Sequence, residues 1–422
     1  MSNYFAKKNI SIAGGIILAI ALIIFFSLKT TEQGGKESGG IGSFFSGIFP
    51  SAGNNNNGEG ESPSENATST PAENQFENAE IVTELPLGRE TAKQLPVGSM
   101  ILSSPAQVSA LMAIGTSSIR YYKNVPENLG HLFERNAEGT SDELRLANYT
   151  IPKIVKVVWA PNGQKNVIFY DLDGKTRKIL IDYTRIDTPK PEFLPDSISD
   201  VAFSPDSKSM AFINDLGATQ NIFIATSAFK NSKKIFSNNI PGLELSWPAS
   251  GSLALKPKTS YLYDGSLYTV NTKTGNLTKV LESRGLDAVW SPDGNGVLYS
   301  YTDQTGVLQN IRYNNFKTSE TTEFDIRTIA EKCGFAKSPT NNGFVFCAVP
   351  RNLPDAKYPD DWWQGKVSFS DYLVKINLAT GEVTNSAPAF HDVTLPSLTS
   401  DDKYFIFKDK NTGSLWSIKI AE

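Results

Sequence analysis

Histidine and cysteine are almost missing from these 422 residues, with two of each. That scarcity excludes most metal and nucleophile chemistry. Only His131 and His391 are available, neither stands at ligand spacing from Cys333 or Cys347, and no metal or cofactor is expected. No Gly-x-Ser-x-Gly elbow, His-Glu-x-x-His pair or Walker loop occurs. A hydrolytic triad would have to draw on the same two histidines, and His391, in Phe-His-Asp-Val at a strand entrance, reads as a structural residue. The chain is therefore not expected to be an enzyme. Surplus basic charge is missing too. The formal net charge is −4, and ten Glu against three basic residues between 30 and 98 leave the chain from 99 onward near neutral. Such a domain offers no footprint for a phosphate backbone, so nucleic acid is disfavoured as a partner. No long stretch shows helical periodicity after residue 29, apart from a single turn's worth at Ser104 to Met112.

One long apolar run exists. Ile10 to Leu28 is nineteen residues without a charge. At ~1.5 Å per residue it reaches about 28 Å, the thickness of a hydrocarbon core. The alternative is a cleaved signal peptide, which has a shorter run ending in a small-x-small site; Phe25-Phe26-Ser27-Leu28 offers none. No lipobox cysteine lies near. Residues 1–29 thus read as a single-pass N-terminal membrane anchor. Lys7 and Lys8 before the span balance Lys29 and Lys36 after it, so the positive-inside count is nearly even. The bulk of the chain beyond the span and its cysteine pair favour an extracytoplasmic C-terminal domain.

Residues 30–95, rich in Gly, Ser, Asn, Glu and Pro, bury too little apolar surface to offset chain entropy and read as a disordered linker. Within it, Ile41 to Phe49 is apolar and aromatic, either an interfacial segment or a transient cluster.

From residue 96 onward a motif recurs: an aromatic or apolar lead, a Ser-Pro-Asp-Gly turn, then an apolar strand. The clearest copies are Trp290-Ser-Pro-Asp-Gly294 and Phe203-Ser-Pro-Asp-Ser207, with weaker ones led by Trp159, Trp247 and Leu398. The leads at 159, 203, 247 and 290 stand 44, 44 and 43 residues apart. A β-rich repeat of about 40 to 45 residues is the period of propeller blades. Thr-Gly turns at 271–276, 378–382 and 410–414 are read as joining the outer strands of blades. Seven innermost strands can be counted, with a strand from about Val97 to Ser103 closing the last blade, which avoids an open edge. The expected fold is all-β, a seven-bladed β-propeller over 96–422; the competing count is six blades with 105–150 as a cap.

This repeat resembles that of TolB-type and other WD-repeat-like bacterial propellers, and of the propeller domain of prolyl-oligopeptidase-type peptidases. The motif is structural and carries no catalytic residue across. The TolB resemblance implies an envelope protein that contacts other proteins.

Two departures from the period mark candidate sites. Cys333 and Cys347 flank the turn 338–343 symmetrically, which places them opposite each other on adjacent antiparallel strands, as a disulfide or as two buried thiols. The interval from the Phe335 lead to the Leu398 lead is 63 residues, and the excess holds Asp360, Asp361, Trp362 and Trp363. These four either form aromatic anchors with a polar rim for a binding partner or fold the loop back onto the propeller. The function expected is protein binding or scaffolding in the cell envelope; the alternative is a propeller hydrolase or lyase acting on glycans or peptides.

Overall fold

The computed structural model describes residues 81–82, 95–147 and 149–422. The predicted span 10–28 and the segment 41–49 lie outside the described residues, among which no helix is long and apolar enough to cross a membrane. Seven sheets, antiparallel except for one added outer strand, form a seven-bladed β-propeller. Their first strands are Val108–Ile114, Ile154–Trp159, Ile198–Phe203, Leu243–Ala249, Asp287–Trp290, Cys333–Phe335 and Val393–Leu398. The last of these packs against Val108–Ile114, and Ala113 N donates to Ser397 Oγ at 3.2 Å, closing the ring.

Closure joins strands from opposite ends of the propeller segment. The seventh sheet runs Val393–Leu398, Tyr404–Asp409, Leu415–Lys419 and then Met100–Ser104, which pairs antiparallel with Met100 opposite Ile418. A fifth strand, Ile81–Val82, lies within the stretch expected to be linker and pairs parallel with Met100 and Ile101. The turn 410–414 joins the second and third strands of this blade, not its outer pair as expected, because the N-terminal strand takes the fourth place.

The motif explains itself at Trp290-Ser-Pro-Asp-Gly294. Ser291 Oγ donates to Asp293 Oδ1 (2.6 Å) and accepts from Gly296 N (3.0 Å), while Gly294 takes φ 67°. Ser204, Asp206 and Ser207 repeat the arrangement, with Ser207 at φ 61°. The lead residues pack between blades. Phe203 joins Val167 and Phe169 of the preceding blade, and Trp159 meets Tyr122 with ring centroids 5.7 Å apart. Seven apolar clusters each fill one gap between neighbouring blades. An eighth lies beneath the blade-six insertion, Arg351 to Ser370.

A Cβ on Gly294 would stand 2.5 Å from Ala249 Cβ and 3.1 Å from the Pro248 carbonyl carbon of the preceding blade. Gly294→Ala should cost about 2 to 4 kcal/mol, from left-handed backbone strain plus overpacking, read as a lower denaturation midpoint.

Candidate functional site

Each first strand begins at one end of the ring, here called the entry face. Connections between blades and those joining second to third strands gather there. The third residue before Leu398 is Leu395, but before the other five of the six leads it is charged: Lys156, Asp200, Glu244, Asp287 and Lys332. These side chains link neighbouring blades. Lys156 Nζ meets Asp200 Oδ1 at 2.6 Å, and Asp200 Oδ2 accepts from Leu245 N at 2.9 Å. Lys256 bridges Glu244 (3.2 Å) and Asp287 (3.0 Å), and Asp287 Oδ2 accepts from Glu331 N at 2.7 Å. Burial works against the Lys256 charge, but Asp287 and Glu244 outweigh it and hold its pKa above the ordinary value.

Lys332 is fully buried, and its ammonium meets Asp371 (2.8 Å), Asp392 (2.6 Å) and the Val393 carbonyl (3.0 Å). All three of its hydrogens thereby have acceptors. Asp392 also accepts from Trp362 Nε1 (3.0 Å), Ser368 Oγ (3.2 Å) and Phe369 N (3.1 Å). Asp371 has one partnered oxygen and one buried oxygen, Oδ1, without a partner. Burial pushes its carboxyl up to about 6 against the pull of Lys332.

The insertion settles onto this network through the short helix Asp360–Trp363. Trp362 is 1% exposed, stacked on Phe369 at 6.0 Å with Lys410 Nζ 4.2 Å from its ring. It is therefore no surface anchor, which corrects its reading as a binding residue: its indole fills the insertion's own core. Asp360 Oδ2 accepts from Tyr261 N of blade four (2.9 Å), and Asp361 accepts from Lys357 N and Lys366 Nζ (both 2.8 Å), so both aspartates fasten the loop. Trp363 remains half-buried and donates to Glu331 Oε1 at 3.1 Å, with Lys256 Nζ 6.0 Å from its ring.

Sequence reasoning missed Glu331. It is half-buried, and its Oε2 has no protein partner among the described residues. Burial, then the charge of Asp287, pushes its carboxyl up to about 7. The folded state thus keeps a proton that the unfolded chain releases, so stability falls as pH rises from about 4.5 to about 7. Glu331→Gln should lose that part of the slope and gain stability at pH 8 relative to the parent, which denaturation across pH measures.

Cys333 and Cys347 stand directly opposite in the blade-six register and are joined as a disulfide, on the strand pair that Lys332 leads into. His391 sits beside Asp409, Nδ1 to Oδ2 3.3 Å, with its ring 4.4 Å from that of Trp416. His131 Nε2 lies 3.4 Å from Thr150 Oγ1. No group of three or more His, Cys, Asp or Glu is placed to hold a metal ion among the described residues.

No protein-family model matches the sequence, and no curated protein matches it. Similar solved structures do exist. An oligogalacturonate lyase in complex with manganese is 14% identical, with a TM-score of 0.53 over 78% of this chain and 99% of that one. The oligogalacturonate lyase of Vibrio parahaemolyticus is 10% identical, with a TM-score of 0.54 over 75% and 91%. TolB from Acinetobacter baumannii is 12% identical, with a TM-score of 0.41 over 74% and 63%. At these identities the likeness concerns the fold alone. It corrects one expectation: the same overall fold serves as an enzyme in the lyases, so missing sequence motifs do not set catalysis aside.

Proposed function

We propose that this protein is a membrane-tethered, extracytoplasmic propeller that binds another envelope protein through its entry face at blades three to six. The supporting observation is an apolar rim: Leu216, Leu262 and Tyr263 are 63%, 65% and 48% exposed on connections between second and third strands. Isolated exposed apolar residues are ordinary, but these lie on one end of adjacent blades, beside an insertion pinned by Asp360 to Tyr261. Rigid connections bearing aromatic and aliphatic side chains are suited to a protein partner. The apolar run 10–28 is the proposed anchor, 30–80 the tether. Proximity labelling from the membrane-bound protein, compared with a Leu262→Asp, Tyr263→Asp variant, tests this. Envelope neighbours lost from the variant support it; purely cytoplasmic neighbours, or an unchanged set, refute it.

A second reading rests on Glu331. A carboxyl that titrates near neutral pH and keeps one oxygen free has the properties of a general acid or base. With Trp363 as a wall and Glu244 as a second carboxylate, the entry face would act on a glycan or peptide. Turnover of such a substrate that survives Glu331→Gln would sink this reading.

A further inference from the structure

Blade two carries a cavity of about 290 Å³, away from the insertion. Its apolar walls are Tyr170, Leu172, Phe193 and Leu194, with Phe193 73% and Leu172 43% exposed at the rim, and the ion-paired Arg177 and Asp196 complete the lining with Lys178. Lys178, from the third strand of the blade, lines the cavity and is only 6% exposed. Its ammonium makes one hydrogen bond, to the Asp196 carbonyl at 2.8 Å, and no carboxylate pairs with it among the described residues. The Asp196 carboxylate is taken by Arg177. Burial pulls the Lys178 pKa below the ordinary lysine value. Lys332, fully buried, has acceptors for all three hydrogens; Lys178, almost as buried, has one acceptor and lines the open cavity.

We propose that this cavity is a binding site for a small apolar carboxylate, whose anionic group pairs with Lys178 while its hydrocarbon or aryl body lies against Tyr170, Leu172 and Phe193. A charge-assisted hydrogen bond from a desolvated ammonium supplies the selectivity for an anion. The apolar walls supply the affinity. A volume of about 290 Å³ lies at the small end of ligand pockets, which suits a short aryl or alkyl acid.

The test is calorimetric titration of the full chain in lipid nanodiscs, with empty nanodiscs as blank, using phenylpropanoate, phenylpropanol and phenylpropylammonium. Phenylpropanoate is expected to bind saturably with a Kd on the order of 0.1 to 1 mM. Phenylpropanol and phenylpropylammonium should each bind at least about ten-fold more weakly. Lys178→Met, which keeps the side chain's bulk, should weaken phenylpropanoate by about ten-fold or more. Phe193→Ala, at an exposed position with no core to disrupt, should also weaken it. Absence of saturable binding, an alcohol that binds as well as the acid, or unchanged binding by both variants would overturn the proposal.

Discussion

Lys332→Met is expected to lower the stability of the propeller by about 3 to 5 kcal/mol at pH 8, the cost of leaving buried charge unpaired. Methionine fills much of the same volume, so the loss is electrostatic and not a packing defect. Asp371 and Asp392 are both fully buried and would face each other without the ammonium between them. The penalty carries a pH signature. Asp371 is already pushed up to about 6 with Lys332 present, and removing the cation raises it further. Below that pH the orphaned carboxyl takes up a proton and the deficit shrinks. Equilibrium denaturation of parent and variant at pH 8 and pH 5 measures both effects; an equal loss at the two values would mean that the ammonium does not neutralise the pair.

The second large effect is expected at Trp362. Trp362→Ala should cost about 3 to 5 kcal/mol, the usual range for emptying an aromatic site in a core. It removes the ring stacked on Phe369 and packed with Tyr358, and also the indole N–H that Asp392 accepts. Trp362→Phe separates the two contributions. It keeps an aromatic face and loses only the hydrogen bond, so about 1 to 3 kcal/mol is expected. Because Lys332 and Trp362 share Asp392, the double variant should lose less than the sum of the single losses. Strict additivity would show that the insertion and the ionic network are energetically separate.

The blade count and the turn chemistry are readable from the chain because each is written locally; the seventh-blade closure is not local, and is readable only because a three-stranded last blade would leave an open edge. Ser204 to Ser207 and Ser291 to Gly294 specify their turns within a few residues, and the strand hydrophobicity follows directly. The facing cysteines were also legible, since they flank one turn. The site was not. Asp360-Asp361-Trp362-Trp363 looks like a polar, solvent-facing loop, yet the first tryptophan is buried because Asp392, thirty residues on, accepts its N–H. Glu331-Lys332 looks like a solvated ion pair in the sequence. The structure sends the two side chains to different partners, Lys332 to Asp371 and Asp392 and Glu331 to Trp363. One signal was there to be read: a charged residue three places before five of the six leads recurs with the blade period, at 156, 200, 244, 287 and 332. Position alone would have put those charges in one ring; Lys156 and Asp200 pair within it, whereas Glu244 and Asp287 share Lys256 and Lys332 takes Asp371 and Asp392, all partners outside the repeat.

The way the seventh blade closes sets a timetable for biogenesis. Ser103 and its partner Ser417 are 314 residues apart. At about 5 to 20 residues per second, the ribosome takes roughly 15 to 60 s to deliver the matching strand. Throughout that interval the side of Met100–Ser104 that Leu415–Lys419 will occupy stays unpaired, since Ile81–Val82 covers only the other side. A nascent chain in that condition is open to pairing with a second copy of itself. Yield of folded protein should therefore fall with the rate of synthesis per cell sooner than the stability of the finished ring would suggest.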